Sequence, residues 1–295
     1  MTLTRNPNRF NFYLIKFFYW NLHKYLKKHL PVFFEKLSLE ELETGKVSEV
    51  IVSLTSFPAR IKTVHLAIKS IMYQTNRPAK VILWLGREKF PRGEKELPIS
   101  LLKLKSAGLE IEFCDDLKAH TKYYYTFQKF PNQLIFTIDD DIIYPKNIIE
   151  ISLRAYHKFP NCIIANRIRF IRFKNKNLKH YRSWGINKFD QNPSKKIFAT
   201  GVGGVLYQPN LLNNSLYDMD GIKKTRCLGD DIWLKAAQLI ENISVVYTDY
   251  FYGNFMEIPN SQNERLSEKN VFEDDNSRQV KEVFEYFGIT EKSFE

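Results

Sequence analysis

The chain has 295 residues and a formal net charge of +11, with 44% hydrophobic and 15% aromatic residues. This composition excludes a disordered chain and suffices for one large domain, or two small ones, with a substantial buried core. The charge implies attraction to anions but does not distinguish nucleic acid, phospholipid headgroups and phosphorylated small molecules. Three widely separated cysteines without CxxC spacing (Cys114, Cys162 and Cys227) indicate neither a disulfide framework nor a zinc site, so a reducing cytosol fits best.

The first predicted element is an aromatic and basic helical extension within residues 1–47. Aromatic residues from Phe10 to Trp20 alternate there with lysines. No stretch reaches the roughly 20 consecutive apolar residues of a membrane span, and no small-residue cleavage site follows, so we expect neither a transmembrane helix nor a signal peptide. Two interpretations stay open, a helix on an anionic membrane surface and a helix packed on the protein's own core.

Short β-rich runs alternate with helical runs over the next hundred residues. This alternation predicts an α/β fold of Rossmann-like type, with a mainly parallel central sheet flanked by helices. No internal repeat or long linker marks a second domain. The predicted strands are 49–54, 81–85, 109–114 and 134–138, and the predicted helices lie around 64–72, 97–106 and 123–130.

The fourth of these strands runs directly into Asp139, Asp140 and Asp141. Adjacent acids at the end of a buried strand repel one another unless a cation neutralises them, and carboxylate oxygens favour Mg²⁺ or Mn²⁺. Ligands of such sheets bind beyond the carboxyl ends of the strands, so we expect the acidic triplet and Thr55, Ser56 and Phe57 to face one crevice. A solvated acidic turn is the alternative.

The second half begins with a predicted helix at 147–158, a strand at 162–165 and a basic stretch at 166–196, which is either a solvated loop or an anion-binding segment. Residues 197–209 read as one strand interrupted by Gly201, Gly203 and Gly204, because glycine permits a bulge or a close backbone approach. Asp230 and Asp231 open a helix that runs to about Ile240, with Asp230 expected at its N-cap. The tail, residues 261–295, is polar with a short helix at 279–287.

Four segments, in this order, resemble bacterial sugar-nucleotide-dependent glycosyltransferases of the GT-A fold. They are Thr-Ser-Phe-Pro-Ala-Arg at 55–60, the acidic triplet, Gly-Val-Gly-Gly at 201–204 and Asp-Asp-Ile-Trp at 230–233. The resemblance covers roughly residues 48–260, a single glycosyltransferase domain. The aromatic extension and the tail lie outside it.

The resemblance implies a role for each matching residue. Asp139 and Asp141 would hold a divalent metal, Mn²⁺ or Mg²⁺, that bridges the phosphates of a nucleotide sugar, with UDP favoured. Asp231 would be the base that deprotonates the acceptor hydroxyl in an inverting reaction, with Asp230 as the helix N-cap and a ligand of the acceptor. The alternative is that both acids only cap the helix, where its dipole favours them. The donor would contact residues from the other segments, with ordinary packing as the alternative for several of them: Thr55, Ser56, Phe57, Arg60, Lys122, Asp140, Gly203 and Gly204.

The expected reaction is therefore hexosyl or N-acetylhexosaminyl transfer to a precursor of a capsule polysaccharide or lipopolysaccharide. The basic stretch suits an anionic or lipid-linked glycan acceptor, and the aromatic extension suits the cytoplasmic face of the inner membrane. Two other functions stay open. One is a sugar-phosphate nucleotidyltransferase, although Thr55 to Pro58 contains no glycine; the other is a non-catalytic binding protein, although no nucleic-acid-binding signature is present.

Overall fold

The computed structural model describes residues 9–185, 192–212, 214–248, 255–259, 261 and 275–295, with the side chains of α1 described from residue 22. The expectations for the aromatic side chains from Phe10 to Trp20, for residues 186–191 of the basic stretch and for residues 262–274 of the tail lie outside these ranges. The helices are α1 (Arg9–Lys36), α2 (Leu39–Leu42), α3 (Val64–Met72), α4 (Ile99–Leu102), α5 (Thr121–Lys129), α6 (Ile148–Lys158), α7 (Met219–Lys224), α8 (Asp230–Ile240) and α9 (Asp275–Tyr286).

The strands begin with β1 (Lys46–Val47), β2 (Ile51–Ser56), β3 (Asn76–Arg77), β4 (Lys80–Gly86), β5 (Leu109–Cys114), β6 (Ile135–Thr137), β7 (Ile142–Ile143) and β8 (Cys162–Ala165). They continue with β9 (Ile168–Phe170), β10 (Phe173–Lys174), β11 (Asn177–Leu178), β12 (Ile197–Ala199), β13 (Val205–Tyr207), β14 (Ser244–Tyr247) and β15 (Met256–Glu257).

A seven-stranded sheet forms the centre, in the order β14-β8-β13-β6-β2-β4-β5. All neighbouring strands are parallel except β13, which runs antiparallel to both β6 and β8. Its buried strands are continuous apolar runs because both faces are covered by helices. The predicted α/β class, with a mainly parallel sheet flanked by helices, is confirmed.

Two apolar layers hold the helices against the sheet. Val52 and Leu54 of β2 face a layer built with α3, α6 and the end of α1, whereas Ile51 faces the layer built with α5, α8 and α9. This alternation along β2 is the period of two that a strand imposes on its side chains. The carboxyl ends of β2 and β6 are adjacent in the sheet, since Ser53 pairs with Thr137.

Two sequence-based assignments of secondary structure are corrected. Residues 197–209 do not form one strand: β12 pairs with β9 in a separate two-stranded sheet, a 3₁₀ turn at Gly201–Gly203 follows, and β13 then enters the central sheet. Gly204 makes this change of direction with a φ of +76°, a conformation that L side chains rarely adopt. The predicted helix at 97–106 is only one short α-helical turn, α4, followed by a 3₁₀ segment at Lys103–Ala107.

The C-terminal end of α1 is fixed to the core. Phe34 and Leu37 are buried, and the buried ammonium of Lys69 on α3 donates to the carbonyls of Phe34, Glu35 and Leu37 at 2.9, 3.1 and 2.9 Å. These bonds satisfy carbonyls that a helix end leaves without partners. Among the described residues, no helix combines the length and apolarity needed to cross a membrane.

Candidate active site

The acidic triplet follows β6 at the carboxyl edge of the sheet. The backbone N–H of Asp139 donates to Tyr144 Oη at 2.9 Å, and that hydroxyl donates to the carbonyl of Val202 at 3.3 Å. The buried Tyr144 therefore ties the triplet to the 3₁₀ turn that contains Gly201 and Gly203. The Asp139 side chain is 30% exposed, whereas those of Asp140 and Asp141 are 6% and 13% exposed, so Asp139 is the most open of the three.

Arg60 neutralises the two more buried acids. Its Nη1 lies 2.7 Å from Asp140 Oδ1 and 3.1 Å from Asp141 Oδ2, and Ser56 Oγ donates to Asp140 Oδ2 at 2.6 Å. Burial raises the pKa of Asp140, although Arg60 and Ser56 oppose that effect. The Thr55 to Phe57 segment therefore contacts the triplet through Ser56, and the expectation that both face one crevice stays a prediction.

The other two residues of that segment have different surroundings. Thr55 Oγ1 donates to the carbonyl of Trp84 on β4 at 3.0 Å. The Phe57 ring lies 5.3 Å from the guanidinium carbon of Arg60 and 6.0 Å from Lys89 Nζ. The segment therefore contributes a hydroxyl within the sheet and an aromatic ring flanked by cations.

Lys122 joins the triplet to the second acidic pair. Its ammonium, on a side chain only 5% exposed, lies 2.8 Å from Asp139 Oδ1 and 3.0 Å from Asp230 Oδ2. Burial lowers the pKa of Lys122, but the two carboxylates outweigh it and hold the pKa well above its ordinary value. Lys122 is therefore a permanent cation shared by two acids that are 91 residues apart in the sequence.

The first turn of α8 carries Asp230 and Asp231. The prediction that Asp230 is the N-cap is wrong: Gly229 is the N-cap and Asp230 is the first helical residue, because its carboxylate is directed to the buried Lys122 ammonium. The preceding loop is held by His120, whose Nε2 lies 2.8 Å from the carbonyl of Cys227.

Asp231 differs from its neighbour because it forms no ion pair within the described parts of the chain. Burial and the adjacent Asp230 carboxylate raise the pKa of Asp231 to about 7, although Lys122 opposes the shift. A carboxyl group with a pKa near the working pH is suited to accept and release a proton.

The glycine run has one member that faces these acids. A Cβ on Gly201 would lie 3.3 Å from Lys122 Nζ and 3.5 Å from Asp139 Oδ1, so the absence of a side chain there leaves room beside the pair. Gly203 instead packs against the backbone of Arg167, and Gly204 packs against the ring of Phe136. The proposed contact of Gly203 and Gly204 with the donor stays a prediction.

Several site residues were missed by the sequence reasoning. Gly201 opens the Gly-Val-Gly-Gly run, and its place as first glycine was an available signal. Tyr144 carried none, because its role depends on partners that the fold brings together, the N–H of Asp139 and the carbonyl of Val202.

Comparisons with known proteins gave structural likeness only. No family model and no curated protein matches the chain. Among solved structures, Staphylococcus aureus TarS residues 1–349 in complex with UDP matches with a TM-score of 0.45 and 9% identity, covering 70% of this chain and 59% of that one. TarS in complex with UDP-GlcNAc gives 0.47 and 11%, covering 80% and 67%. The inositol-1-phosphate CTP transferase from T. maritima gives 0.40 and 9%, covering 80% and 96%.

Proposed function

We propose that the protein is a glycosyltransferase that moves a hexosyl or N-acetylhexosaminyl group from a nucleoside-diphosphate sugar to a glycan hydroxyl. One observation carries the proposal. Lys122 links Asp139, the open acid at the strand end, to Asp230, and the next residue is Asp231, an acid with a raised pKa and no ion pair in the described structure. In this proposal Asp139 anchors the donor diphosphate and Asp231 is the base for the acceptor, and the two ion pairs of Lys122 connect their positions.

The acids fit a divalent cation that is shared with the substrate. No group of three or more His, Cys, Asp or Glu side chains among the described residues is arranged to hold a metal by itself. Mg²⁺ is commonly held by one or two carboxylates together with substrate phosphates, and Asp139 Oδ2 makes no hydrogen bond within the described structure. Asp139 and Asp141 would therefore hold Mg²⁺ or Mn²⁺ with the donor, and the ion would stabilise the charge of the departing diphosphate.

The proposed reaction is a single displacement. The Asp231 carboxylate accepts the proton of the acceptor hydroxyl while that oxygen forms a bond to the anomeric carbon. The bond from the anomeric carbon to phosphate oxygen breaks, and the nucleoside diphosphate leaves with the electron pair. Attack from the face opposite the leaving group inverts the anomeric configuration. Lys122, fixed as a cation, contributes positive charge beside the diphosphate position.

The donor nucleotide is assigned to the segment from Thr55 to Arg60, through Thr55, Ser56, Phe57 and Arg60, with UDP as the favoured nucleotide. The Phe57 ring offers a flat surface for a base, and Arg60 and Lys89, both paired with carboxylates, flank the ring. Gly203 and Gly204 are placed by the same proposal under the donor sugar. The acceptor is a precursor of a surface polysaccharide.

A contact with an anionic membrane surface completes the proposal. Leu22, Tyr25 and Val32 recur at helical spacing along α1 and are 55%, 60% and 50% exposed, next to exposed lysines at 24, 27 and 28. An apolar stripe beside cations suits an anionic leaflet. Cosedimentation with phosphatidylglycerol vesicles but not with phosphatidylcholine vesicles is expected, and a Tyr25→Glu variant is expected to weaken it. Equal recovery with both vesicle types would contradict this contact.

The donor is tested first by thermal shift. Nucleoside diphosphates and nucleotide sugars are each added with Mn²⁺ or with excess EDTA, because a ligand that binds only the folded state raises the melting temperature. Stabilisation that needs the metal is expected for UDP and a UDP-sugar, and is expected to be lost in Asp139→Asn but retained in Asp115→Asn, which changes an exposed acid.

Product analysis then separates the alternatives. Release of nucleoside diphosphate supports glycosyl transfer, whereas release of pyrophosphate from a nucleoside triphosphate would replace it with nucleotidyl transfer. No metal-dependent shift with any nucleotide, together with salt-sensitive binding of bulk RNA, would overturn the enzyme proposal in favour of a binding protein.

A further inference from the structure

Two arginines lie at β9, whose partner strand β12 ends at Ala199, a residue that lines one small cavity together with the proposed base Asp231. Arg167 immediately precedes β9 and Arg169 lies within it, so a spacing of two residues places both side chains on the same face of the strand. The partner strand β12 leads directly into Thr200 and Gly201. The arginines therefore border the same turn that faces Lys122 and Asp139.

Arg167 is held in place from two sides. Its Nη1 donates to Thr200 Oγ1 at 3.1 Å, and the N–H of Thr200 donates back to the carbonyl of Arg167 at 3.0 Å. On the other side a Cβ on Gly203 would lie only 2.6 Å from Cβ of Arg167, so glycine permits this close approach. Asp231 and Asp139 both lie near enough to influence the pKa of Arg167, which burial and Arg169 lower.

Arg169 is held by aromatic residues. Its guanidinium carbon lies 4.8 Å from the centre of the Tyr181 ring, and its Nη1 donates to the carbonyl of Trp184 at 3.1 Å. Both aromatic side chains are buried. The planar group is thus fixed by Tyr181 and by the Trp184 carbonyl, and among the described residues it retains N–H groups for a ligand.

Neither arginine forms an ion pair with a carboxylate in the described structure, in contrast to Arg60 with its two acids. Two adjacent, half-buried cations repel each other and lose hydration, which is unfavourable unless an anion compensates them. Guanidinium groups match phosphate and carboxylate because two parallel N–H donors meet two oxygens.

We propose that the acceptor carries an anionic group, a phosphate or a carboxylate, and that Arg167 and Arg169 hold it beside the hydroxyl that Asp231 deprotonates. The inference rests on the proposed glycosyltransferase function and names its acceptor class. Arg167 and Arg169 are then the residues that determine specificity for a charged acceptor over a neutral one.

The test uses the full chain loaded with UDP and Mg²⁺ and measures binding of small probes by isothermal titration calorimetry. The probes are glycerol 3-phosphate, glucuronate and neutral glycerol, so that the phosphate and carboxylate sources are separated. We expect one of the two anions to bind and glycerol not to bind. Arg167→Gln and Arg169→Gln are each expected to weaken that anion about tenfold, equivalent to about 1.4 kcal/mol. Arg167→Lys keeps the charge without the paired donors and is expected to give an intermediate loss.

The control is Arg182→Gln, which removes the same charge from an exposed position in the basic stretch and is expected to leave anion binding within about twofold of the parent. UDP affinity is measured separately for every variant. Loss of UDP affinity in Arg167→Gln with unchanged anion binding would overturn the inference, because the arginines would then serve the donor. An equal loss in Arg182→Gln would also overturn it, as an effect of bulk charge. If the parent protein binds no nucleotide, the proposed function itself fails.

Discussion

Asp231→Asn is expected to lower the rate of transfer strongly while making the folded protein more stable. The substitution keeps the size of the side chain and removes its charge. The carboxyl group has an ordinary pKa of 3.8 and a folded-state pKa of about 7, so the folded protein holds a proton that the unfolded chain has already released between these values. Its contribution to the free energy of unfolding therefore falls as the pH rises from about 4 to about 7.

The size of the effect follows from that difference. At about 1.36 kcal/mol per pH unit, the interval from 3.8 to about 7 gives a penalty of about 4 kcal/mol above pH 7 and about 2 kcal/mol at pH 5. The neutral amide that the substitution introduces would not bear this penalty. The proposed transfer needs the carboxylate as base, so its rate should rise with pH up to about 7 in the parent, and loss of the base should lower it by about 10²–10⁴-fold.

Urea denaturation of parent and variant at pH 5 and pH 8 measures the first effect, and release of nucleoside diphosphate measures the second. Asp220→Asn is the matched control, because it makes the same change in a side chain that is 98% exposed. A variant at Asp231 that is less stable than the parent at pH 8, or a difference that does not change with pH, would show that this carboxylate is better stabilised than its surroundings imply. Full transfer activity in the variant would remove Asp231 from the mechanism.

Three further substitutions test the charges and the backbone. Lys122→Met leaves Asp139 and Asp230 without their shared cation and should lower the free energy of unfolding by about 3 kcal/mol in urea, with loss of UDP binding. Gly204→Ala combines a positive φ with a contact against the Phe136 ring and should lower the free energy of unfolding by about 2–4 kcal/mol. The control Gly108→Ala, at a φ of +97° with open space around it, should lower it by only about 1 kcal/mol. Equal losses of stability would exclude the ring contact as a cause. Lys69→Met removes three hydrogen bonds at the end of α1 and should lower the free energy of unfolding by about 2–4 kcal/mol. Backbone amide exchange at residues 32–37 should become faster. Unchanged exchange would show that apolar packing alone holds the helix end.

The local elements of this fold were predictable because each has its own signal. The strands at 109–114 and 162–165 were assigned with the bounds that the structure gives. The first alternates apolar residues with glutamates, the second is a continuous apolar run, and turn-forming residues bound both. The acidic triplet was located because three consecutive aspartates directly follow a run of strand-forming residues. Residues 197–209 were misassigned because an apolar run interrupted by glycines describes two consecutive strands as well as one bulged strand, and nothing in it shows that the chain changes sheets at Gly204.

The pairing within the candidate site was predictable only in part. Thr55 to Phe57 and the triplet end neighbouring parallel strands, so their meeting followed from the class of sheet. The link from Lys122 to Asp230 could not be predicted in this way, because it depends on how α5 and α8 pack on the same face of the sheet. The same packing explains why Asp230 points to a lysine instead of capping its own helix.

The distribution of charge divides the candidate site into two parts that differ in net charge. Within the described ranges, two cations, Arg60 and Lys122, form the ion pairs of four acids: Asp139, Asp140, Asp141 and Asp230. This donor-side cluster therefore has a net charge of −2. Arg167 and Arg169 give the other part of the site an excess of positive charge. A diphosphate would be repelled from the first part unless a divalent cation accompanies it, but an anion would enter the second part without one. UDP binding should therefore be lost in EDTA. Binding of the anionic probe by Arg167 and Arg169, measured by calorimetry without nucleotide, should differ little between EDTA and Mg²⁺. Equal metal dependence of both ligands would mean that they occupy one common site.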